Sequence, residues 1–410
     1  MLTTLRQYYR DPLYRNSIAM MLNSAFAAFF GLLFWIVAAR TMSSKDMGLA
    51  TAAISAAGLI VGLSRLGLDS GLMRYLPESK NRNGLYSTVA SVTLAFALLL
   101  GALFLAGIGT FSPSLSFLRQ GWFLPVFFGY VAVMSVYSVQ NTALVAMRRA
   151  DLSFVQNLLL GVRIPILLLI ASLGVFGVFS SLGGAYAITF VFGAFVLYRY
   201  GLRLEKGLDT AAVRNTLKFS LGNYTAGIFT MAPTTVIPVM IVNTLGAKES
   251  AYFYVAYSVA ALLFMIPTAV STSLFVEGSY SLPLKENTIK SVKFVMLLLV
   301  PALLFIFLLG DKLLLLFSKE YSEQSFEMLQ LLAASSIFSA VTLIYLSIKK
   351  IQKDVSMINY VSFALSALIL VLGYVSLLKY GLLGLGYAWL VANIVVCAVV
   401  VILVLRERWV

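Results

Sequence analysis

The first apolar run of the chain, Asn16–Ala39, reads NSIAMMLNSAFAAFFGLLFWIVAA and carries no charged side chain. A helix of about 20 apolar residues crosses the hydrocarbon core of a bilayer. The same composition extends over all 410 residues, of which 60% are hydrophobic and 11% are charged, with a mean hydropathy of +0.94. A soluble domain is roughly 45–50% apolar and about 25% charged. We therefore predict an all-α integral membrane protein.

Similar apolar runs recur along the chain, and charged residues separate them. They predict twelve membrane-spanning helices. The predicted helices are Asn16–Ala39, Met47–Gly67, Leu85–Ile108, Trp122–Ala146, Ser153–Phe176, Ser180–Leu197, Phe219–Asn243, Ala251–Val276, Ser291–Leu309, Met328–Ser347, Ser356–Leu378 and Leu382–Leu405. Pro233 and Pro238 lie within the seventh helix, so a kink or break is expected there.

The formal net charge of +14 comes from 30 basic and 16 acidic residues. With the N-terminus in the cytoplasm, the cytoplasmic loops hold roughly three times as many basic residues as the outer loops. This bias follows the positive-inside rule, so we predict a cell-membrane protein with both termini in the cytoplasm. The charge is an orientation signal that also attracts anionic headgroups, and no nucleic-acid partner is expected.

The chain has no histidine, and its single cysteine, Cys397, lies in an apolar run. These facts exclude an intrachain disulfide, a Cys/His zinc site and a histidine-dependent catalytic triad. The longest predicted loop, 200–218, is too short for a soluble catalytic domain. We predict no metal site, no catalytic residue and no cofactor, and the sequence leaves open whether H⁺ or Na⁺ is a coupling ion.

Three short motifs recur in the second half of the chain in nearly the same register. TMSSKD (Thr41–Asp46) resembles TLGAKE (Thr244–Glu249), DLSFVQ (Asp151–Gln156) resembles DVSMIN (Asp354–Asn359), and GGAYA (Gly183–Ala187) resembles GLGYA (Gly384–Ala388). The repeats predict two pseudo-symmetric lobes of six helices, 1–200 and 219–410, joined by a cytoplasmic linker at 201–218. Two lobes around a central cavity are typical of transporters, although a duplication kept only for packing stays open.

The first two predicted helices carry motifs of a known family. AARTMSSKDMG (Ala38–Gly48) and GLDSGLMRYLPE (Gly67–Glu78) resemble the polysaccharide exporters of the multidrug/oligosaccharidyl-lipid/polysaccharide (MOP) superfamily. The sequence departs from the usual turn at Thr41–Ser44, where Met-Ser replaces Leu-Gly.

This resemblance implies a MATE-like fold and a Wzx-type flippase. Such a flippase moves a polyprenyl-pyrophosphate-linked oligosaccharide from the cytoplasmic to the outer leaflet for surface polysaccharide synthesis. The implied partners are this lipid-linked oligosaccharide, membrane lipids and glycan-assembly proteins. We expect the protein to be a monomer.

Arg163 lies in the fifth predicted helix, about 15 Å from its start at 1.5 Å per residue. An arginine near the bilayer centre costs roughly 2.5–3.5 kcal/mol on insertion scales, so it is expected to face a cavity. Arginine suits a pyrophosphate because its planar guanidinium binds phosphate oxygens bidentately. The alternative is that backbone carbonyls freed near Pro165 hold this side chain.

A second basic set, Arg65 and Arg74 with Asp69 between them, lies at the cytoplasmic end of the second helix. A mutual ion pair explains Arg65 and Asp69 as well as substrate contact does. The equivalent positions of the second lobe are Thr268, Thr272 and Glu277. Packing symmetry alone therefore does not require the cationic set. Resemblance to the superfamily's lipid-linked peptidoglycan precursor flippases implies that Arg65 takes part in pyrophosphate binding.

Amide and hydroxyl side chains within the helices are candidates for the sugar path. They are Asn23, Gln140, Asn141, Asn157, Asn223, Thr234 and Thr235. Each of them is also explained as an interhelical hydrogen bond.

Other functions stay open. A cation-coupled multidrug exporter of the same superfamily needs a carboxylate within its lobes, whereas Asp69 and Glu277 lie at helix ends. An integral-membrane polysaccharide polymerase or ligase needs a large outer loop. The longest outer loops here, around Thr110–Gln120 and Gly310–Glu327, are short, and the acidic residues of the second are typical of a solvated turn. The cost of burying Arg163 disfavours a structural scaffold.

Overall fold

The computed structural model describes the backbone of residues 12–205, 210–278 and 284–406, and the side chains of residues 23–205, 224–275, 278 and 284–406. Within these ranges the chain forms fourteen α-helices and no strand. The helices are α1 (Pro12–Thr41), α2 (Ser44–Ser64), α3 (Leu68–Tyr75), α4 (Arg82–Ala106), α5 (Ile108–Phe111), α6 (Phe123–Ala146), α7 (Ala150–Leu159), α8 (Arg163–Ile170), α9 (Val175–Arg199), α10 (Thr210–Thr244), α11 (Ala247–Gly278), α12 (Leu284–Leu314), α13 (Lys319–Ile351) and α14 (Val355–Arg406). Short 3₁₀ helices occupy Pro113–Arg119, Leu160–Val162 and Ala171–Leu173.

Eleven helical stretches of the described chain are long and apolar enough to cross a membrane. The last of them, α14, has 52 residues and contains two helices, because Gly381 breaks it with φ 65° and ψ −154°. A straight helix of 52 residues would be roughly 78 Å long at 1.5 Å per residue, more than twice the hydrocarbon thickness of about 30 Å, so this stretch is long enough for two membrane spans. Gly174, with φ 57° and ψ −132°, makes the corresponding turn before α9, in a region open almost only to glycine. The predicted twelve-helix membrane fold is confirmed.

The connection between α12 and α13 is shorter than the sequence predicted. The stretch Gly310–Glu327, predicted as an outer loop, is helical except for residues 315–318. Ser318 caps α13 by accepting a hydrogen bond from the Tyr321 amide. Glu320 lies in the first turn of α13, where a negative charge suits the positive end of the helix dipole. These acidic residues therefore lie in helices rather than in a turn, and Glu320, Glu323 and Glu327 are exposed as predicted.

The seventh span stays helical through both of its prolines. Pro233 and Pro238 lie inside α10, and no break interrupts the helix there. The helix begins at Thr210, within the segment 201–218 that the sequence assigned to the linker. The exact lobe boundaries therefore stay predictions.

The chain divides into two compact units, Met1–Tyr224 and Thr225–Val410. In the first unit, α3, α4, α6 and α9 pack around an apolar core that includes Leu72 and Leu144. In the second unit, Tyr345 of α13 packs against valines of α14. Each unit thus has its own buried apolar core.

Equivalent turns of the two units show the internal repeat in the backbone. Arg148 follows α6 with φ 58°, and Lys353 follows α13 with φ 59°. The next amide, of Arg149 or Asp354, donates a hydrogen bond of 2.9 Å to the carbonyl five residues earlier. This pattern is the Schellman motif that ends many helices. The two halves therefore share local geometry as well as helix order.

The two copies of the first repeat motif differ in backbone geometry at the position where Ser43 replaces the glycine of the second copy. Ser43 is extended, with φ −68°, and its Oγ accepts a hydrogen bond of 3.1 Å from the Asp46 amide. The equivalent residue of the second copy, Gly246, has φ 100°. The first copy therefore begins its next helix with a side-chain cap, and the second copy begins it after a left-handed glycine.

Candidate functional site

The fifth membrane span, Ala150–Leu173, is not one continuous α-helix. A 3₁₀ turn at Leu160–Val162 follows α7, and α8 then begins at Arg163. Pro165 has no amide hydrogen, so the Gly161 carbonyl lacks an α-helical partner and the chain adopts the tighter turn. This break places Arg163 near the middle of the span, at the first position of α8.

The guanidinium of Arg163 packs against α1. Its Cζ atom lies 4.9 Å from the centroid of the Phe34 ring, within the range of a cation–π contact. The Phe34 side chain is fully buried, so the position of its ring is fixed. Gly31, one turn earlier on α1, lies beside the guanidinium, and a Cβ atom there would make an ordinary contact of 3.8 Å with Nη2. A cation–π contact uses the face of the guanidinium, whereas its N–H donors lie along the edge.

Asn157 is the centre of a hydrogen-bond network between α1, α6 and α7. Its Nδ2 donates to Oδ1 of Asn23 at 2.7 Å. Its Oδ1 accepts from the Tyr137 hydroxyl and, at 3.5 Å, from Nδ2 of Asn141. The network thus joins Asn23 and Asn157, two predicted site residues that are 134 positions apart in the chain.

Gln140 and Gln156 form a buried amide pair next to this network, with 1% and 0% of their surface exposed. Nε2 of Gln156 donates to Oε1 of Gln140 at 3.2 Å and to the Thr189 carbonyl at 3.3 Å. Nε2 of Gln140 donates to the Phe190 carbonyl at 3.2 Å. Buried amides are costly without such partners, so these bonds fix α6 and α7 against α9. For Gln140, the structure shows the interhelical role.

Two arginines from different parts of the first unit lie near the same pair of tyrosines. Arg65 and Arg163 both interact electrostatically with the hydroxyl groups of Tyr137 and Tyr186. The two tyrosine rings meet edge to face, with centroids 5.1 Å apart. Both predicted arginines therefore lie within electrostatic range of one polar region of the first unit. We call this region the polar cluster, and its members are Asn23, Arg65, Tyr137, Asn157, Arg163 and Tyr186.

Arg65 lies at the break between α2 and α3, where Leu66 and Gly67 have φ of 50° and 75°. Its Nη1 atom is 3.9 Å from Oδ2 of Asp69, and the side chains are 38% and 32% exposed. An exposed ion pair contributes roughly 0–1 kcal/mol. The buried Nε atom of Arg65 has no hydrogen-bond partner among the described residues. The predicted ion pair is present, but it occupies only part of the guanidinium.

The other predicted site residues have separate environments. Arg74 is exposed in the last turn of α3. The hydroxyls of Thr234 and Thr235 both donate to the Met231 carbonyl within α10, at 2.9 and 3.1 Å. Asn223 lies outside the residues whose side chains are described.

Three members or neighbours of the polar cluster were missed by the sequence reasoning. Phe34, Tyr137 and Tyr186 are aromatic residues in a chain that is 13% aromatic, so their presence in membrane helices is not a signal by itself. A weak signal existed for Phe34, which lies one turn from Gly31 on a helix that also carries Asn23.

The family model for polysaccharide biosynthesis proteins matches residues 37–325, well over half of the chain. The chain belongs to the polysaccharide biosynthesis protein family. No curated protein sequence matches the chain.

Solved structures show the same fold at low sequence identity. The lipid II flippase MurJ, in an inward closed conformation, has a TM-score of 0.74 and 15% identity, covering 95% of this chain and 87% of that one. An inward-facing multidrug resistance MATE family transporter of the MOP superfamily has a TM-score of 0.68 and 16% identity, covering 95% and 98%.

A third similar structure is a MOP superfamily transporter from Pyrococcus furiosus, described by a binding pocket of reverse polarity that suggests a different function. It has a TM-score of 0.63 and 15% identity, covering 98% of this chain and 97% of that one. The family match confirms the predicted relation to polysaccharide biosynthesis proteins, and the shared fold confirms the predicted MATE-like architecture. This member of the polysaccharide biosynthesis protein family is a multi-pass membrane protein, and it shares its fold with MurJ and with the MATE family transporter.

Proposed function

We propose that this protein is a flippase for a polyprenyl-pyrophosphate-linked oligosaccharide, which it moves from the cytoplasmic to the outer leaflet by alternating access. The observation that carries the proposal is Arg163, placed near the middle of a membrane span and packed on Phe34. Membership of the polysaccharide biosynthesis family and the fold shared with MurJ, a lipid II flippase, support it.

The substrate has three parts, and the polar cluster offers chemistry for two of them. The pyrophosphate is anionic, and Arg163 and Arg65 supply two cations whose N–H donors bind phosphate oxygens. The sugar carries hydroxyl groups, which hydrogen-bond to amides such as those of Asn23 and Asn157. The isoprenoid tail needs no polar partner, because it remains in the lipid. In this proposal the cluster replaces the water that the headgroup loses inside the bilayer.

The proposed setting is the cell membrane, with both termini in the cytoplasm and with the protein as a monomer. The proposal includes no cofactor and no catalytic residue. Glycan-assembly proteins supply and consume the lipid-linked substrate. Flipping rates measured in liposomes with and without an imposed H⁺ or Na⁺ gradient determine whether either ion is coupled to flipping.

A cation-coupled multidrug exporter is the alternative within the same superfamily. Such exporters bind the coupling cation through a carboxylate within a lobe. Among the described residues, no aspartate or glutamate is buried. The buried polar groups of the first unit are instead hydroxyls and amides, which favours a sugar-bearing substrate.

A polymerase or ligase is the alternative from the enzymes. A polymerase or ligase is expected to have a large outer loop. In this protein, only the four residues 315–318 of the predicted outer loop Gly310–Glu327 are not helical. The other predicted loop is folded largely as α5 and the 3₁₀ helix Pro113–Arg119. These short connections favour transport over catalysis.

A reconstituted transport assay tests the proposal. Liposomes containing the purified protein and a polyprenyl-pyrophosphate disaccharide with a fluorescent sugar are exposed to a membrane-impermeant quencher, which reports sugar movement between leaflets. We expect Arg163→Ala to slow flipping roughly 10- to 100-fold, because hydrogen bonds to charged groups contribute about 1.5–3 kcal/mol. Arg163→Lys should retain part of the activity, since it keeps the charge but loses the planar fork.

Arg119→Ala is the matched control, because it removes an exposed arginine outside the polar cluster. Equal insertion and equal elution volume of all variants exclude misfolding as the cause of a loss. A wild-type flipping rate in Arg163→Ala contradicts the assignment of Arg163 to the substrate site. Absence of flipping by the wild-type protein, together with export of a cationic dye, favours the drug exporter.

A further inference from the structure

The end of α9 and the residues after it form a basic and aromatic surface. Tyr198 and Tyr200 are 57% and 50% exposed. The Cζ atom of Arg203 lies 4.5 Å from the centroid of the Tyr198 ring, and that of Arg149 lies 4.5 Å from the centroid of the Tyr200 ring. We call this surface the α9 patch, and its members are Tyr198, Arg199, Tyr200, Arg203 and Leu204.

Hydrogen bonds hold the backbone of the α9 patch in place. Leu202 is 3% exposed and belongs to the apolar core of the first unit. Asn83 accepts a hydrogen bond of 3.0 Å from the Arg203 amide and donates one of 2.8 Å to the Glu205 carboxylate. The Glu205 amide donates to Oγ of Ser87 at 2.7 Å. The exposed arginines are therefore presented by a fixed segment.

The two carboxylates next to the α9 patch bond to groups outside it, Glu205 to Asn83 and Asp151 to Arg149. Asp151 accepts two hydrogen bonds of 2.9 Å from Arg149, which raise the pKa of Arg149 above its ordinary value. Neither Arg199 nor Arg203 forms an ion pair with a described residue. Two exposed guanidinium groups, four positions apart in the chain, are thus outside the ion pairs of the described residues.

The α9 patch lies where a membrane span ends. The span Val175–Arg199 stops within the patch, so the patch is at the level of the lipid headgroups. Tyrosine is enriched at this level, and arginine binds phosphate oxygens bidentately. Leu204 is 65% exposed beside the arginines and is suited to contact acyl chains. A soluble phosphate ion would not explain the exposed tyrosines and leucine.

We propose that the α9 patch binds the headgroup phosphate of an anionic phospholipid through Arg199 and Arg203. This site is separate from the polar cluster and does not rest on the proposed transport function. It would fix the end of α9, and with it the backbone carbonyls that hold the buried glutamine pair, at a defined depth in the membrane.

Titration of the purified protein with phosphatidylglycerol and with phosphatidylcholine, followed by native mass spectrometry, tests this site. Each arginine near an anionic lipid surface contributes about fivefold to affinity, so the Arg199→Gln/Arg203→Gln variant should bind phosphatidylglycerol about 30-fold more weakly. Phosphatidylcholine binding should not change. The Arg119→Gln/Lys248→Gln variant, which removes two exposed charges elsewhere, should bind both lipids like the wild type.

Two further measurements keep the proposal open to refutation. The Arg199→Lys/Arg203→Lys variant preserves both charges and should retain affinity within about fivefold, which distinguishes lost binding from lost folding. Inorganic phosphate at constant ionic strength should not displace the lipid. Wild-type affinity in the glutamine variant, or displacement of the lipid by inorganic phosphate, overturns the proposed lipid site.

Discussion

Replacing Gly193 with alanine tests whether the buried glutamine pair fixes the helices of the first unit. A Cβ atom at this position would lie 2.4 Å from both Oε1 of Gln140 and Nε2 of Gln156, far inside van der Waals contact. Both side chains are buried and already bonded to carbonyls of α9. Neither amide can therefore move aside without losing a partner.

The size of the effect follows from the bonds that must break. Displacement removes the 3.2 Å bond between the two amides and at least one bond to an α9 carbonyl. Hydrogen bonds between membrane helices contribute about 0.6 kcal/mol on average, and a buried group left without a partner costs roughly 1–3 kcal/mol. Overpacking adds a cost of similar size. We expect Gly193→Ala to lower the free energy of unfolding by about 2–6 kcal/mol.

Denaturant unfolding in mixed micelles measures this change. Gly183→Ala is the matched control in the same helix, because a Cβ atom there would lie 3.8 Å from the Tyr130 ring, an ordinary contact. Adding Gln156→Ala to Gly193→Ala should cost less than the sum of the single changes, because it removes one of the clashing amides. Equal unfolding midpoints for Gly193→Ala and Gly183→Ala would refute the reasoning.

Three further predictions use the flipping assay or chemical labelling. Phe34→Leu removes the cation–π contact of Arg163 and should slow flipping about 2- to 30-fold, for a loss of about 0.5–2 kcal/mol, whereas Phe34→Tyr should not. Exchanging Arg65 and Asp69 keeps their ion pair but moves the cation, so flipping should fall at least about tenfold; an unchanged rate would reduce Arg65 to an ion-pair partner. In a variant without the native cysteine, cysteines at the exposed positions Lys248 and Lys350 should react with impermeant reagents from opposite sides of the membrane, and labelling from one side contradicts the predicted topology.

The membrane spans could be predicted because lipid imposes a simple demand on sequence. A helix in hydrocarbon needs a long apolar run, and such runs dominate a chain that is 60% hydrophobic. The break at Gly381 likewise coincides with the gap between the last two predicted helices, Ser356–Leu378 and Leu382–Leu405. The helical course of Gly310–Glu327 was missed, because helix ends depend on local caps such as Ser318 rather than on hydropathy.

The candidate site was predictable only in part. Arg163 could be singled out because a charge in mid-membrane is costly whatever surrounds it. The link between Asn23 and Asn157 could not, because it joins residues 134 positions apart and only packing brings them together. Tyr137 could not be separated by type from the many aromatic residues of the chain.

Lys349 shows a further limit of charge patterns. It lies between the predicted helices Met328–Ser347 and Ser356–Leu378, in a stretch that the predicted topology assigns to a cytoplasmic loop, where a lysine is expected to be solvated. In the structure it is 5% exposed, lies 5.3 Å from the centroid of the Tyr345 ring and is 3.9 Å from the Asp354 carboxylate. A loop charge therefore indicates a side of the membrane but not burial, and Lys350 is the better labelling position.

The internal repeat makes the asymmetry between the two halves informative. By the 203-residue offset of the sequence motifs, the positions equivalent to Asn23, Asn157 and Arg163 are Ala226, Tyr360 and Ser366, and by the 205-residue offset of the two turns Arg163 corresponds to Leu368. Tyr360 is 71% exposed and Ser366 is 4% exposed, so the second half forms the same order of spans without a mid-membrane cation at this position.

Because the second half folds without a cation at this position, the fold itself does not require Arg163. An arginine in mid-membrane costs roughly 2.5–3.5 kcal/mol on insertion scales, and the second half forms its spans without one at the corresponding position. Arg163→Ala should therefore reduce the flipping rate far more than it reduces the free energy of unfolding. A residue that binds substrate at some cost to stability behaves in this way, whereas a residue that serves packing does not. Measuring unfolding and flipping on the same Arg163→Ala preparation distinguishes the two roles, since a packing residue would lose both together.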